Sequence, residues 1–211
     1  MPAALVGKAG ATRPVDVTVG RVGTINFQGV PGQLAIAGTR SSKVVLTGQL
    51  HGAAGAPVIE TRLDRAGGML TVSIRCAPGS PCTESLRLTV PAGVGTTVRQ
   101  SGGRVVLAGL TGPLCITTAN ADVSASGLRS PSLMAVITRG HLNTAFTTVP
   151  RKVDVTLTSA QATLRLPTSV TYQIAQNVTS GHVRVAIPQA ASATRTVTAR
   201  IHSGELELLP S

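Results

Sequence analysis

The 211-residue chain carries 19 Lys and Arg against 8 Asp and Glu, a net charge of +11, with 23 Gly, 13 Pro, no Trp, one Tyr (Tyr172) and two Phe (Phe27 and Phe146). That length holds one domain or at most two, and no stretch approaches the roughly 18 consecutive apolar residues of a membrane-spanning helix. No window of a dozen residues free of Gly and Pro shows helical apolar spacing, so helix is expected to be scarce.

The opening MPAALVGKAG has an apolar run too short for the central region of a signal peptide. If the protein is exported or anchored, the segment responsible lies outside this sequence. If Met1 is the true start, the chain is cytoplasmic. Strand candidates follow at VDVTV (15–19), TINF (24–27), QLAIA (33–37), KVVLT (43–47), VIETRL (58–63) and MLTVSI (69–74). They are β-branched runs bounded by turn residues. GQLHGAAGAP (48–57) reads as a loop, and DRAGG (64–68) as a hairpin turn with glycine in left-handed positions. Cys76 and Cys82 bracket the turn-rich APGSP, where a disulfide in an oxidising compartment competes with two unconnected thiols at strand ends. Cys115, in PLCIT, is expected to be an inert core residue.

Beyond residue 85 the chain repeats itself. Gly103-Arg104-Val105, Ala121-Asp122-Val123, Gly140-His141-Leu142, Ala160-Gln161-Ala162, Gly181-His182-Val183 and Gly204-Glu205-Leu206 follow one another at intervals of 18, 19, 20, 21 and 23 residues. Each opens an alternating apolar run, such as Val183, Val185 and Ile187, with polar residues such as Arg104, Arg165, Arg184 and Glu207 on the opposite face. An earlier strand precedes each one: Leu114 and Ile116, Met134 and Val136, Val153 to Leu157, Tyr172 and Ile174, Val197 to Ile201. VPAGVGTTV (90–98) and LPTSVTYQI (166–174) echo each other, with Pro91 and Pro167 at corners or strand starts. A unit this short cannot bury its own apolar face but can do so against a neighbour about 4.8 Å away. The small residue is then the corner at which the backbone turns. The expected fold is an all-β, single-stack β-solenoid with rungs of about 18–23 residues and little or no helix. One domain would span 1–211, less regular over 1–85 and regular over 86–211. Glu205, Glu207 and Pro210 would blunt its last edge.

The passage from RCAPGSPCTESLRLTVPAGV through SGGRVVLAGLTGPL to IHSGELELL resembles a family of bacterial β-strand-repeat proteins, a domain of unknown function labelled "putative adhesin". The likeness covers roughly residues 40–211. It implies a solenoid-like stack of short strands and, as in part of that family, a module outside the cell behind a membrane anchor, which would suit a Cys76–Cys82 disulfide. The family repeats a Thr-Gly-Ser-Gly-Asp-Val turn, whereas here the Asp slot holds Arg104, Asp122, His141, Gln161, His182 and Glu205. The Arg-rich, Ala-rich, Lys-poor composition looks actinobacterial.

Enzyme signatures for nucleophilic, zinc-dependent and nucleotide-dependent chemistry are absent, and no catalytic, cofactor-binding or metal site is expected. The column Asp122, His141, Gln161, His182 and Glu205 is the one candidate cluster. Stacked in register, it is either a pH-sensitive or metal-binding ladder or a solvated polar ladder with opposite charges on adjacent strands. Of the 19 basic residues 16 are Arg, with Arg151-Lys152 as the only adjacent pair. That charge suits an anionic wall polymer, a glycan or a protein as partner, or is simply a basic surface. Nucleic acid is disfavoured by the lack of stacking aromatics and recognition motifs. The reading is a non-enzymatic binding or structural module of a bacterial envelope or surface protein. The alternatives are a cytoplasmic β-repeat scaffold with salt-dependent nucleic-acid contact and, behind it, a polysaccharide-active solenoid using an acidic pair.

Overall fold

A computed structural model describes residues 11–53 and 55–211, so the opening MPAALVGKAG lies outside the described residues. The strands are β1 (Ala11–Val19), β2 (Thr24–Gly29), β3 (Gly32–Thr39), β4 (Val44–Gly52), β5 (Val58–Asp64), β6 (Met69–Arg75), β7 (Cys82–Pro91) and β8 (Gly95–Gln100). They continue with β9 (Gly103–Ala108), β10 (Leu114–Thr118), β11 (Ala121–Leu128), β12 (Ser132–Phe146), β13 (Lys152–Leu166), β14 (Gln173–Val185) and β15 (Thr196–Pro210). No helix occurs among the described residues.

All fifteen strands belong to one hydrogen-bonded sheet. Its main path is β1-β4-β7-β3-β9-β11-β12-β10-β8-β2-β6-β5, and β13, β15 and β14 continue from β12. The N-terminal half of β12 pairs with β10 and its C-terminal half with β11, so β12 belongs to two walls at once. The result is a mixed, largely parallel sheet curled into a half-barrel, which overturns the expected β-solenoid. In a solenoid, each rung stacks on the one before it. Here β9 lies on β3 and β8 on β2, while β1–β4, β4–β7 and β5–β6 are antiparallel. The last strand, β15, is inserted between β13 and β14. It is therefore an interior strand, and Glu205, Glu207 and Pro210 do not blunt an edge.

The bend between the walls lies on a column of small residues, Gly32, Gly103, Ala121, Gly140, Ala160, Gly204 and Gly181, each in register with the next. Backbones meet closely there. A Cβ on Gly140 would overlap the backbone of Ala121, and one on Gly204 the backbone of Ala160. Gly140 and Gly204 also have φ of 104° and 133°, a region that L side chains rarely adopt. Glycine lets β12, β14 and β15 turn from one wall to the other without breaking the ladder, and Ala160 is the small corner residue of β13.

The walls close on one contiguous apolar cluster. One contributes Ile25, Phe27, Leu114, Ile116, Val153 and Val155; the other Leu34, Ile36, Val105, Leu107, Leu142 and Leu164. Tyr172 is wholly buried, and its hydroxyl donates to the Pro167 carbonyl at 2.9 Å. The core is thin, so aliphatic side chains fill most of it.

Four local expectations change or narrow. Leu133, Ala135 and Ile137 point inward, whereas Met134 is 49% exposed. Apolar residues occupy both parities of SLMAVI, and pairing with Leu114 and Val153 decides which face is buried. The GQLHG stretch continues β4 against β7 rather than forming a loop. Pro91 ends β7 and Pro167 follows the end of β13, so of the two expected places both take corners, where strands close, and neither starts a strand. Of the two glycines in the turn between β5 and β6, Gly68 alone has positive φ, 61°.

Replacing Gly204 with Ala should lower unfolding free energy by about 2 kcal/mol or more, because strain and overlap add. Ser203→Ala, on the exposed neighbour, should stay within about 0.5 kcal/mol. Urea melts of the two variants check the contrast.

Candidate functional site

The interior of the half-barrel is filled by the apolar core, so a ligand meets the outer faces of the two walls. On the wall running from β4 to β14, parallel in-register pairing stacks like positions. One row reads Gln33, Arg104, Asp122, His141, Gln161, Glu205, His182. The next, two residues on, reads Arg87, Ala35, Val106, Ser124, Asn143, Thr163, Glu207, Arg184.

Asp122 and His141 are therefore neighbours, with Nδ1 and Oδ1 2.8 Å apart, and so are Glu205 and His182. Gln161 lies between His141 and Glu205, because β15 is inserted beside β13. The column thus offers a histidine and a carboxylate at each of two places, whereas zinc takes three or four protein ligands. No group of three or more His, Cys, Asp and Glu able to hold a metal occurs among the described residues. The Asp122 and His141 side chains are 62% and 66% exposed, so solvent screens the pair. Asp122→Asn should change unfolding free energy by less than about 0.5 kcal/mol in a thermal melt.

Two shallow hollows lie side by side on this wall. The first, about 320 Å³, is bordered by Arg87 and Arg104 with Gln33, Thr47 and Ser85, and no carboxylate lines it. The second, about 390 Å³, is bordered by Arg104, Asp122, Ser124, His141 and Asn143. Arg104 and Val106 belong to both. The ion pairs among the described residues are Arg75–Glu60, His141–Asp122, Lys152–Asp154 and Arg184–Glu207, which leaves the guanidinium groups of Arg87 and Arg104 without a carboxylate. Sequence reasoning singled out Arg104 but missed Arg87 and Gln33, because β7 and β3 reach this wall through non-sequential pairing.

The other outer wall carries a groove of about 400 Å³ lined by Thr97, Cys115, Ser132 and Met134, with Lys152 and Asp154 at its end. Cys115 is a free, half-buried thiol on this face, not the core residue expected. Its neighbours Leu114 and Ile116 take the inward positions. Cys76 and Cys82 form a disulfide with Cα atoms 5.4 Å apart, closing the turn between β6 and β7. His51 lies on β4 beside Thr12, and His202 is exposed on β15.

One buried acid falls outside these expectations. Glu84, 2% exposed, pairs with Gly32 at the end of the small-residue column. Its carboxylate accepts from the Val30 amide at 3.2 Å and from Gln100 Nε2 at 3.0 Å. Gln100 Oε1 has no hydrogen-bond partner among the described residues. Burial pushes the Glu84 carboxyl up from 4.5 to about 7, against the two hydrogen bonds. The folded protein therefore holds a proton that the unfolded chain has already lost. The stabilisation is complete below pH 4.5 and disappears as pH rises through about 7. Its full size is about 3 kcal/mol at 1.36 kcal/mol per unit. Urea melts from pH 4.5 to 8 should show this loss, and Glu84→Gln should flatten it.

No family model matches the chain, and no curated protein does. Solved structures do match it, bacterial adhesins and cell adhesion proteins by description, over nearly the whole chain. The crystal structure of a "putative cell adhesion protein" from Clostridium sporogenes ATCC 15579 aligns with 94% of this chain and 100% of its own, at 12% identity and a TM-score of 0.59. A "putative adhesin" from Bacteroides fragilis NCTC 9343 aligns with 96% of this chain and 98% of its own, at 12% identity and a TM-score of 0.47. A "putative lipid binding protein" from Parabacteroides distasonis ATCC 8503 gives 95%, 96%, 12% and 0.35. At 12% identity the likeness to the Clostridium sporogenes protein is one of fold. Nor do these sources support the actinobacterial origin suggested by composition.

Proposed function

We propose that this chain is a single-domain, non-enzymatic binding module of a bacterial envelope or surface protein, and that the wall around Arg87 and Arg104 contacts an anionic polymer. The observation that carries the reading is the pair of adjoining hollows with two unpaired guanidinium groups, hydrogen-bonding side chains between them and no carboxylate in the first. Arginine suits carboxylate and phosphate groups because its planar fork binds them through two hydrogen bonds. Shallow, adjoining hollows suit successive units of a chain-like ligand better than a small substrate, which a deep pocket would enclose.

Two further observations support the envelope. The Cys76–Cys82 disulfide fits an oxidising compartment. The fold is shared with the "putative cell adhesion protein" from Clostridium sporogenes, although fold alone does not assign function. No helix among the described residues is long and apolar enough to cross a membrane.

The wall has no Phe, Tyr or Trp side chain on which a sugar ring or a base could stack, so recognition rests mainly on charge and hydrogen bonds and weakens steeply with salt. Purified wall teichoic acid and a uronic-acid polysaccharide are the probes, with single-stranded DNA as the comparison. Titrated at 50 to 300 mM salt, one of the first two should bind more tightly than DNA. Arg87→Glu with Arg104→Glu should weaken that binding tenfold or more, as losing two charge-assisted contacts implies. Equal affinity in the double variant would exclude this wall. Tighter DNA binding would favour the scaffold reading instead.

A further inference from the structure

Among the described residues the curled sheet has three free edges, and two are guarded. β1 carries Arg13, Pro14 and Asp16, and β5 carries Glu60, Arg62 and Asp64. Prolines and charges of this kind discourage pairing with another chain. The third edge, β14, reads QIAQNVTSGHVRV, with no proline, lysine or acidic residue and Arg184 as its one permanent charge. It pairs with β15 alone among the described residues. Its inward row is also incompletely covered. Val178 is 37% exposed and Ile174, Val183 and Val185 are half-buried, whereas Ile201, Leu206 and Leu208, beside them on β15, are at 2% or less.

We infer that the β14 edge pairs antiparallel with the β14 edge of a second copy of this chain, about a two-fold axis at the Ser180–Gly181 corner. The inference is independent of the polymer-binding reading. It follows from two parities along β14. The first is the direction of the backbone groups. Gln173 and Ala186 donate their N–H groups to Arg195 and Leu208 of the β15 side. Counting by twos from each, Ala175, Asn177, His182 and Arg184 also face β15, whereas Ile174, Gln176, Val178, Val183 and Val185 turn their N–H and C=O groups to the free edge.

The second parity is that of the side chains. Through pairing with Val197, Ala199, Ile201, Leu206 and Leu208, the same five residues point inward. The corner shifts both parities together by one residue, from even numbers before it to odd numbers after it.

With that shift, an antiparallel self-pairing centred on the corner keeps both parities matched. With Ser180 opposite the partner's Gly181, Val178 falls opposite the partner's Val183 and Gln176 opposite the partner's Val185. Both members of each pair present free backbone groups to one another, and each pair exchanges two N–H···O bonds. Their side chains all point inward, so the open apolar row of one copy is covered by that of the other. The two corners coincide, so both sheets curl the same way. Arg184 falls opposite the partner's Asn177, and no like charges meet. An isologous contact closes on itself as a dimer, whereas pairing β14 with a β1 or β5 edge would build an open filament.

Sedimentation of the 211-residue chain over 1–100 µM should show a monomer–dimer equilibrium. Each copy carries +11, so added salt should favour the dimer. Val183→Pro removes a free-edge donor without removing a bond to β15. It should abolish the dimer while leaving the melting temperature of the monomer within a few degrees. A second measurement does not depend on how that variant folds. In a Cys115→Ser background, Asn177→Cys with Arg184→Cys should cross-link two copies on mild oxidation, and Ala175→Cys with Arg184→Cys should not. A monomer throughout the range, species that grow beyond the dimer, or equal cross-linking in both double variants would overturn the inference.

Discussion

Close backbone approach along one line governs the whole molecule. Where Gly32, Gly103, Ala121, Gly140, Ala160, Gly204 and Gly181 stack, there is no room for a larger side chain, and several of these residues take backbone angles open mainly to glycine. Long strands such as β12, β13 and β15 bend there while keeping their ladders. One sheet thereby supplies two facing walls, and the apolar residues on either side of the bend become a common core. Without the bend, the same strands would leave one apolar face in water.

This architecture also decides where chemistry can occur. Inward-facing positions are taken by a thin aliphatic core, with Glu84 and Gln100 as a buried polar patch near the end of the corner column. Outward-facing positions form rows of like register, so residues distant in sequence become a continuous surface. Arg87, Arg104, Ser124 and Asn143 meet in this way on one wall. A surface of this kind offers many shallow contacts along an extended line.

The same stacking makes the sheet's edges consequential. A long, regularly paired sheet ends in exposed backbone donors and acceptors, and this chain guards two of its ends with charge and proline while leaving the third plain. At that third end, the corner reverses the relation between residue number and face. The corner that bends the sheet thereby also sets the register in which two β14 edges would meet.

The amino-acid sequence by itself determined the local pattern: strands throughout, small residues at the corners, inward alternation in most strands, and neighbouring Asp122 with His141 and His182 with Glu205. These follow from period-two alternation and the spacing of Gly and Ala, which any β ladder must respect. Glu84 was legible too, since it shares the inward parity of Leu86, Leu88 and Val90. Only the tertiary structure decided strand order: β15 between β13 and β14, β9 on β3, and the antiparallel flank that turns an expected solenoid into a half-barrel. The reason is physical. Alternation specifies which face of a strand is apolar, but every apolar face here is chemically alike. The choice of neighbour is made by backbone register, close approach and connection length, which act only once the whole sheet assembles. That choice also brought Arg87 beside Arg104 and left β14 as the open edge.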